Sequence, residues 1–189
     1  SAFDDHAGPM LVRLARNAIA QRLGEHAPAP PMAPWLQEPG ATFVTLTREN
    51  ALRGCIGTLE ASRPLVVDVH ENALAAAFRD PRFKPLVVDE WPSVSVEVSL
   101  LSALEALPLG DESALLAQLR PGVDGLVLEF GHHRGTFLPQ VWEQLPEPAA
   151  FLTSLKRKAG LPPDFWEPGM RLSRYTVTKW REQDLGLDR

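Results

Sequence analysis

The chain has 189 residues, and its 44% hydrophobic and 23% charged residues are typical of one soluble globular domain with a sizeable core, which excludes a multidomain machine and a disordered chain. Its formal net charge of −5 argues against a protein that coats nucleic acid or anionic lipid through its overall charge. The single cysteine, Cys55, cannot form an intrachain disulfide, and the sequence contains no long apolar stretch, so we expect a cytoplasmic protein without a membrane span.

The first half of the chain predicts a helix, a loop and a hairpin. Apolar residues spaced by three and four predict an amphipathic helix over Pro9–Leu23. The prolines of residues 27–40 remove backbone donors, which predicts a Pro-rich loop rather than a helix or a strand. Two β-prone runs, Thr42–Thr47 and Leu52–Thr58, are predicted to form a β-hairpin.

A second helix and a half-buried strand follow the hairpin. Pro64 is suited to a first helical turn, and the apolar stripe after it runs to Phe78. The helix is expected to end before Pro81, because a residue that precedes proline is driven out of the helical region. Alternation over Val94–Leu101 predicts a strand with Glu97 on its polar face.

The second half of the chain predicts a further mixture of helices and strands. These elements are a helix over Asp111–Leu119, a hairpin of Gly125–Phe130 and Thr136–Leu138 around residues 131–135, a helix over Pro148–Ala159 and a final strand over Arg171–Trp180. Because the order lacks a regular βαβ rhythm, we expect an α+β fold with mainly antiparallel sheets and flanking helices.

The segment Leu52–Thr58, with the sequence LRGCIGT, is the first candidate site. Side chains alternate between the two faces of a strand, so Arg53 and Cys55 are expected on one face, about 6.5–7 Å apart, and Leu52 and Ile56 on the other. A neighbouring cation increases the thiolate fraction of a cysteine. Gly54 and Gly57 weaken a strand and often mark close approach of another backbone or a ligand, which makes both candidate ligand-binding residues.

Two alternatives remain open for Cys55. A free cysteine is most often a small buried hydrophobic residue, in which case the chain is a non-catalytic adaptor. In the enzymatic alternative, Cys55 is a thiolate nucleophile oriented by Arg53, and Asp80 or Glu97 is the acid or base.

A second motif, Asp80–Phe83 with the sequence DPRF, is predicted to form a rigid turn that presents Asp80 and Arg82 to a ligand or joins them in a local ion pair.

Metal binding by the His132-His133 pair is not expected, because adjacent residues provide no fixed ligand geometry and no third ligand has suitable spacing. Nucleic-acid binding is the weakest alternative, since no basic stripe carries interleaved aromatic residues.

The LRGCIG hexapeptide, the DPRF turn and the GTFLPQV segment at Gly135–Val141 together resemble the AMMECR family, including AmmeMemoRadiSam system protein A. The likeness covers nearly the whole chain. It implies a single domain over residues 1–189 that is built from two interleaved lobes, with the hexapeptide near the cleft between them. Members often accompany a Memo-like protein and a radical SAM protein, which are therefore the expected partners. No particular reaction or cofactor is implied.

From these observations we expect a protein that binds a small molecule or a partner segment around Arg53, Cys55, Asp80 and Arg82.

Overall fold

A computed structural model describes residues 6–30 and 32–187 of the chain. The fold is α+β with two four-stranded antiparallel sheets, which confirms the predicted fold class. The helices are α1 (Ala7–Arg22), α2 (Leu65–Phe78), α3 (Glu112–Gln118), α4 (Pro148–Lys158) and α5 (Glu182–Leu185). The strands are β1 (Ala41–Arg48), β2 (Ala51–Gly57), β3 (Val94–Leu101), β4 (Glu105–Leu107), β5 (Gly125–Phe130), β6 (His133–Phe137), β7 (Arg171–Tyr175) and β8 (Val177–Arg181).

The chain divides into two compact units. The first unit takes the chain as far as Leu101 and again from Thr178, and the second unit is the continuous segment Ser102–Val177. The first unit is therefore assembled from two separate parts of the sequence.

The first unit contains a sheet with the strand order β2-β1-β3-β8. One face of this sheet carries Val44, Leu46, Val96 and Val98, all fully buried in a core shared with α1 and α2. These positions alternate along β1 and β3, so the apolar period of two that predicted the strands also selects the face that the helices cover.

The second unit contains a sheet with the order β4-β7-β5-β6 and a separate core. Asp111 caps α3 by accepting a hydrogen bond of 2.7 Å from the backbone N–H of Ala114, as expected for an N-cap aspartate. In the last turn of α4, Lys156 is fully buried and forms a 2.8 Å ion pair with Glu112. Its ammonium group thus links α4 to α3 and also donates to the Pro163 carbonyl.

The structure differs from the predicted elements near the end of the chain. The single predicted strand Arg171–Trp180 is two strands, β7 and β8, that belong to different sheets. At the break between them, the backbone N–H of Ser102 donates to the carbonyl of Thr176, and the Thr176 N–H donates to the Ser102 hydroxyl, both at 2.8 Å. An unbroken β-prone run cannot indicate that its two halves pair with different partners.

Two smaller differences concern strand ends. Strand β6 starts at His133, so the second hairpin turn is shorter than the predicted 131–135 turn. The short strand β4 and the terminal helix α5 were not predicted, because each has fewer than five residues and shows no measurable period. None of the helices in the described residues is both long enough and apolar enough to span a membrane.

Candidate functional site around Cys55

Cys55 lies in a row of side chains across the first sheet. Thr45 of β1 is paired with Cys55 of β2 on one side and with Glu97 of β3 on the other. We call the surface defined by Cys55, Thr45 and Glu97 the Cys55 face; it is opposite to the face that carries Val44 and Val96. The Thr45 hydroxyl is 3.3 Å from the Cys55 sulfur, so the thiol has a hydrogen-bonding partner within the sheet.

A β-bulge changes the expected position of Arg53. Leu46 is paired with Gly54 and Thr47 is paired with Leu52, so Arg53 has no partner in β1. As a result, Leu52 falls on the Cys55 face, where its side chain is exposed. The prediction that Leu52 points away from Cys55 was wrong, because the extra residue breaks the strict alternation of the strand.

Arg53 is bound to other residues of the first unit. Its Nε and Nη2 donate to the two carboxylate oxygens of Glu90 at 2.8 and 3.1 Å, and Nη2 also donates to the Lys84 carbonyl at 2.8 Å. The hydrogen bonds from Arg53 hold the pKa of Glu90 below its usual value. The charge of Arg53 is thus largely neutralised by Glu90.

The DPRF turn is docked directly on the backbone of Cys55. The Asp80 carboxylate accepts a hydrogen bond from the Cys55 N–H at 3.0 Å, and Arg82 Nη2 donates to the Cys55 carbonyl at 3.4 Å. Arg82 also donates to both carboxylate oxygens of Asp80, at 3.0 and 2.8 Å. Since β2 is the last strand on its side of the sheet, these two side chains cover backbone groups that would otherwise be unpaired.

Asp80 and Arg82 differ greatly in exposure. The Asp80 side chain is 2% exposed, whereas that of Arg82 is 55% exposed. The Arg82 hydrogen bonds hold the pKa of the Asp80 carboxyl far below its usual range, and the same contact raises the pKa of Arg82. A buried carboxylate that is ionised at neutral pH therefore orients an exposed guanidinium beside Cys55.

The two glycines of the hexapeptide have packing roles. A Cβ atom on Gly54 would lie 2.1 Å from the Ala76 carbonyl oxygen of α2, so glycine is required where the strand and the helix approach each other. A Cβ atom on Gly57 would lie 2.1 Å from the ring of Phe43, its partner in β1. These contacts account for both glycines without a ligand, and their predicted ligand contacts stay predictions.

Comparison with known proteins gives a family for the whole chain. The AMMECR1 family model matches residues 12–180. The chain belongs to the AMMECR1 family. A protein of Methanothermobacter thermautotrophicus is 38% identical over 93% of this chain and 94% of its own length. Protein MJ0810 of Methanocaldococcus jannaschii is 36% identical over 93% of this chain and 90% of its own length.

A solved structure shares the fold. The crystal structure of the uncharacterized protein PH0010 from Pyrococcus horikoshii superposes with a TM-score of 0.76 and 37% identity, covering 96% of this chain and 94% of that one. The names of these relatives state no activity. Membership of the AMMECR1 family therefore establishes the fold and leaves the reaction open.

A buried polar network next to the hexapeptide was missed by sequence reasoning. In this AMMECR1 domain, Asp68 of α2 is fully buried and accepts hydrogen bonds from the Thr42 N–H and hydroxyl, the Thr58 hydroxyl, Arg63 and Asn72. The sequence feature that indicates this network is Asp68 itself, a carboxylate between Val67 and Val69 in an otherwise apolar helical run. Because donors surround Asp68, its role is to connect β1, α2 and the end of β2.

The two adjacent histidines lie in the second unit. His133 Nδ1 is 3.0 Å from the Ala159 carbonyl at the end of α4, and the His132 ring lies against that of His133. In residues 6–30 and 32–187, no three His, Cys, Asp or Glu side chains are arranged as a metal-binding group.

Proposed function

We propose that this AMMECR1 domain is a ligand-binding protein that holds an anionic group of a small molecule on Arg82, beside the thiol of Cys55. The observation that carries this proposal is the orientation of Arg82 by a buried carboxylate. Arginine offers five donors in a fixed plane, and Asp80 takes up only one edge of that plane. Nη1 of Arg82 makes no hydrogen bond to any residue that the structure describes, so it can donate to a carboxylate or a phosphate.

The charges around Cys55 favour Arg82 over Arg53 as the anion-binding residue. Arg53 is 13% exposed and its guanidinium is paired with both oxygens of Glu90. Arg82 is more than half exposed and contacts the Cys55 backbone. Each guanidinium is paired with one carboxylate, so the difference between them is access: an incoming anion can reach the guanidinium of Arg82, whereas that of Arg53 is largely buried.

A binding role also agrees with the state of Asp80. A general acid or base must gain and lose a proton near the working pH. The pKa of Asp80 lies far below that range because of its hydrogen bonds with Arg82. Asp80 is thus better suited to position Arg82 than to transfer protons.

The second candidate function is a cysteine-dependent enzyme with Cys55 as nucleophile. It is favoured by the contact of 3.3 Å between the Cys55 sulfur and the Thr45 hydroxyl, and by the half-buried position of Cys55. An activated nucleophile would react with iodoacetamide faster in the folded protein than in the chain unfolded by guanidinium chloride. A slower reaction in the folded protein supports the binding role.

Alkylation of the single cysteine tests the proposed anion site. We expect Arg82→Gln to reduce the rate with negatively charged iodoacetate, relative to neutral iodoacetamide, by about two- to fivefold at low salt. The iodoacetamide rate corrects for any change in access to the thiol. The control is Arg79→Gln, which removes the same charge from a neighbouring residue that is 52% exposed and paired with Glu71.

Two outcomes would contradict the proposal. One is an unchanged ratio of the iodoacetate rate to the iodoacetamide rate in the Arg82→Gln protein, and the other is a thiol that neither reagent reaches until the protein is unfolded.

The association with a Memo-like protein and a radical SAM protein stays a prediction from the family resemblance. Copurification of the tagged chain from its own cells would test it.

A further inference from the structure

The outer edge of β2 is covered at Cys55 and uncovered at Gly57. The Cys55 N–H donates to Asp80, so it points away from β1. The N–H of Thr58 donates instead to the Thr42 carbonyl, which leads into β1. Because backbone groups alternate in direction along a strand, these two bonds place the N–H and the carbonyl of Gly57 on the outer edge. Among the residues that the structure describes, no loop or side chain bonds to either group.

An extended peptide can pair with β2 at this position. In an antiparallel pair, two opposite residues exchange both hydrogen bonds. A peptide residue opposite Gly57 therefore donates its N–H to the Gly57 carbonyl and accepts from the Gly57 N–H. Gly57 itself is partly exposed, and residues 59–62, which follow β2, are all exposed. Gly57 thus offers one complete pair of backbone hydrogen bonds to an added strand.

Asp80 and Arg82 stop such a peptide before it reaches Cys55. An antiparallel peptide runs toward the start of β2, and its next pairing position is Cys55. The Cys55 N–H is already bound by Asp80 at 3.0 Å, and the Cys55 carbonyl accepts from Arg82 Nη2 at 3.4 Å. The peptide therefore has to end opposite Gly57, and its terminal group lies beside the Arg82 guanidinium.

The guanidinium of Arg82 selects the direction of the peptide. Asp80 is 2% exposed and Arg82 is 55% exposed, so the charged group at the surface is the cation. An antiparallel peptide brings its C-terminal carboxylate to this cation, whereas a parallel peptide brings its ammonium group. In the antiparallel direction, one carboxylate oxygen accepts from the Gly57 N–H and the other from Arg82 Nη1.

We infer that the ligand is the C-terminal residue of an extended peptide, held as a short antiparallel strand on β2 with its α-carboxylate between Arg82 and the Gly57 N–H. This inference rests on the proposed function, since it identifies the anionic group on Arg82 as a peptide carboxylate. It adds the backbone of Gly57 to the site and places the peptide along the strand edge next to Cys55.

Exchange of the Gly57 N–H with solvent, measured by NMR in the complete chain, tests this inference. The probes are mixtures of N-acetylated tetrapeptides at millimolar concentration, one with a free C-terminal carboxylate and one C-amidated. We expect the free acids to slow this exchange about twofold more than the amides, or better. Arg82→Gln should abolish the preference, whereas Arg79→Gln, which removes a neighbouring exposed charge, should keep it.

N-methylation of the probe separates strand pairing from simple anion binding. Methylation of the last peptide nitrogen removes the N–H that donates to the Gly57 carbonyl, which should weaken binding about two- to tenfold. Methylation of the preceding nitrogen is the matched control, because alternate N–H groups of a strand point to opposite sides and this one faces away from β2. These changes are made in the probe, so they leave the fold of the protein intact.

The outcomes distinguish the inference from the proposed function. If the free acids are preferred but the two methylated mixtures bind equally, the pairing with Gly57 is wrong and the proposed anion site stands. If acids and amides act equally or not at all, the inference is wrong, and the iodoacetate comparison decides on the anion site alone. A preference for the acids that survives in Arg82→Gln would overturn the contact between Arg82 and the peptide carboxylate.

Discussion

Arg53 and Arg82 are both close to Cys55, but they act differently. Arg53 precedes Cys55 by two residues, yet its guanidinium is directed to Glu90 and Lys84. Arg82 is distant in sequence, yet it contacts the Cys55 carbonyl. The environment of the thiol is therefore determined by a residue that the DPRF turn supplies and by the carboxylate of Asp80 that fixes it.

At this scale, the ionisation of Asp80 predicts an acid-dependent loss of stability. Its pKa is lower in the folded chain than the value of about 3.9 usual for an unfolded aspartate, so its contribution to stability is present above pH ~4 and is lost as the pH falls below that. We expect Asp80→Asn to lower the free energy of unfolding by about 1–3 kcal/mol at pH 7. The difference from wild type should shrink between pH 4 and pH 2.

Urea unfolding at several pH values measures this difference. Asp89→Asn is a suitable control, because Asp89 is an exposed aspartate of the same unit. A constant difference between wild type and Asp80→Asn over the acidic range would contradict the assigned ionisation.

At the scale of elements, β2 is an edge strand that is held on two sides. The DPRF turn covers its free edge through Asp80 and Arg82, and α2 packs against it at Gly54. The bulge at Arg53 adds a further irregularity to this edge. All three features reduce the tendency of an exposed edge to pair with another chain.

The two glycines of β2 predict unequal effects of alanine. In Gly54→Ala the new methyl group would meet the Ala76 carbonyl, which is part of a helix backbone and cannot move alone. In Gly57→Ala it would meet the ring of Phe43, which can change its rotamer. We expect Gly54→Ala to be destabilised by at least the ~1–3 kcal/mol typical of an overpacked core, and Gly57→Ala by less.

Guanidinium chloride unfolding of the two variants and the wild type measures these losses in the free energy of unfolding. The double variant Gly57→Ala with Phe43→Leu should recover part of the free energy of unfolding that Gly57→Ala alone loses, since the smaller side chain of leucine leaves room for the new methyl group. Equal stabilities of Gly54→Ala and wild type would show that β2 and α2 are further apart than described.

At the scale of the whole molecule, the first unit is closed by the last part of the chain. Glu182 is 3% exposed and accepts hydrogen bonds from Arg16 of α1 and from the Val96 N–H of β3. Trp180 lies against Gly8, where a Cβ atom would be 2.3 Å from its ring. The chain therefore has to complete Ser102–Val177 before these contacts of the first unit can form.

Removal of the Glu182 carboxylate should affect the two units differently. Glu182→Ala removes the acceptor of the Val96 N–H and the carboxylate partner of Arg16, which keeps only the Val94 carbonyl, and we expect this loss to cost about 3–5 kcal/mol, as for other broken buried pairs. Hydrogen exchange should accelerate in α1 and β3 and stay unchanged in β5. The control Glu105→Ala removes an exposed partner of Arg174 in the second unit and should leave exchange in the first unit unchanged. Uniform acceleration in both units would contradict this expectation.

The sequence by itself determined the α+β class, most helices and strands, the first hairpin and the outward direction of Glu97, because these depend on local periodicity, prolines and caps. Tertiary structure decided which arginine accompanies the thiol, because a bulge and a docked turn bring residues together that no local period relates. It also decided that Arg171–Trp180 divides between two sheets and that Asp68 is surrounded by donors. The elements followed from local chemistry, whereas the surroundings of Cys55 depend on contacts between segments that are distant in the chain.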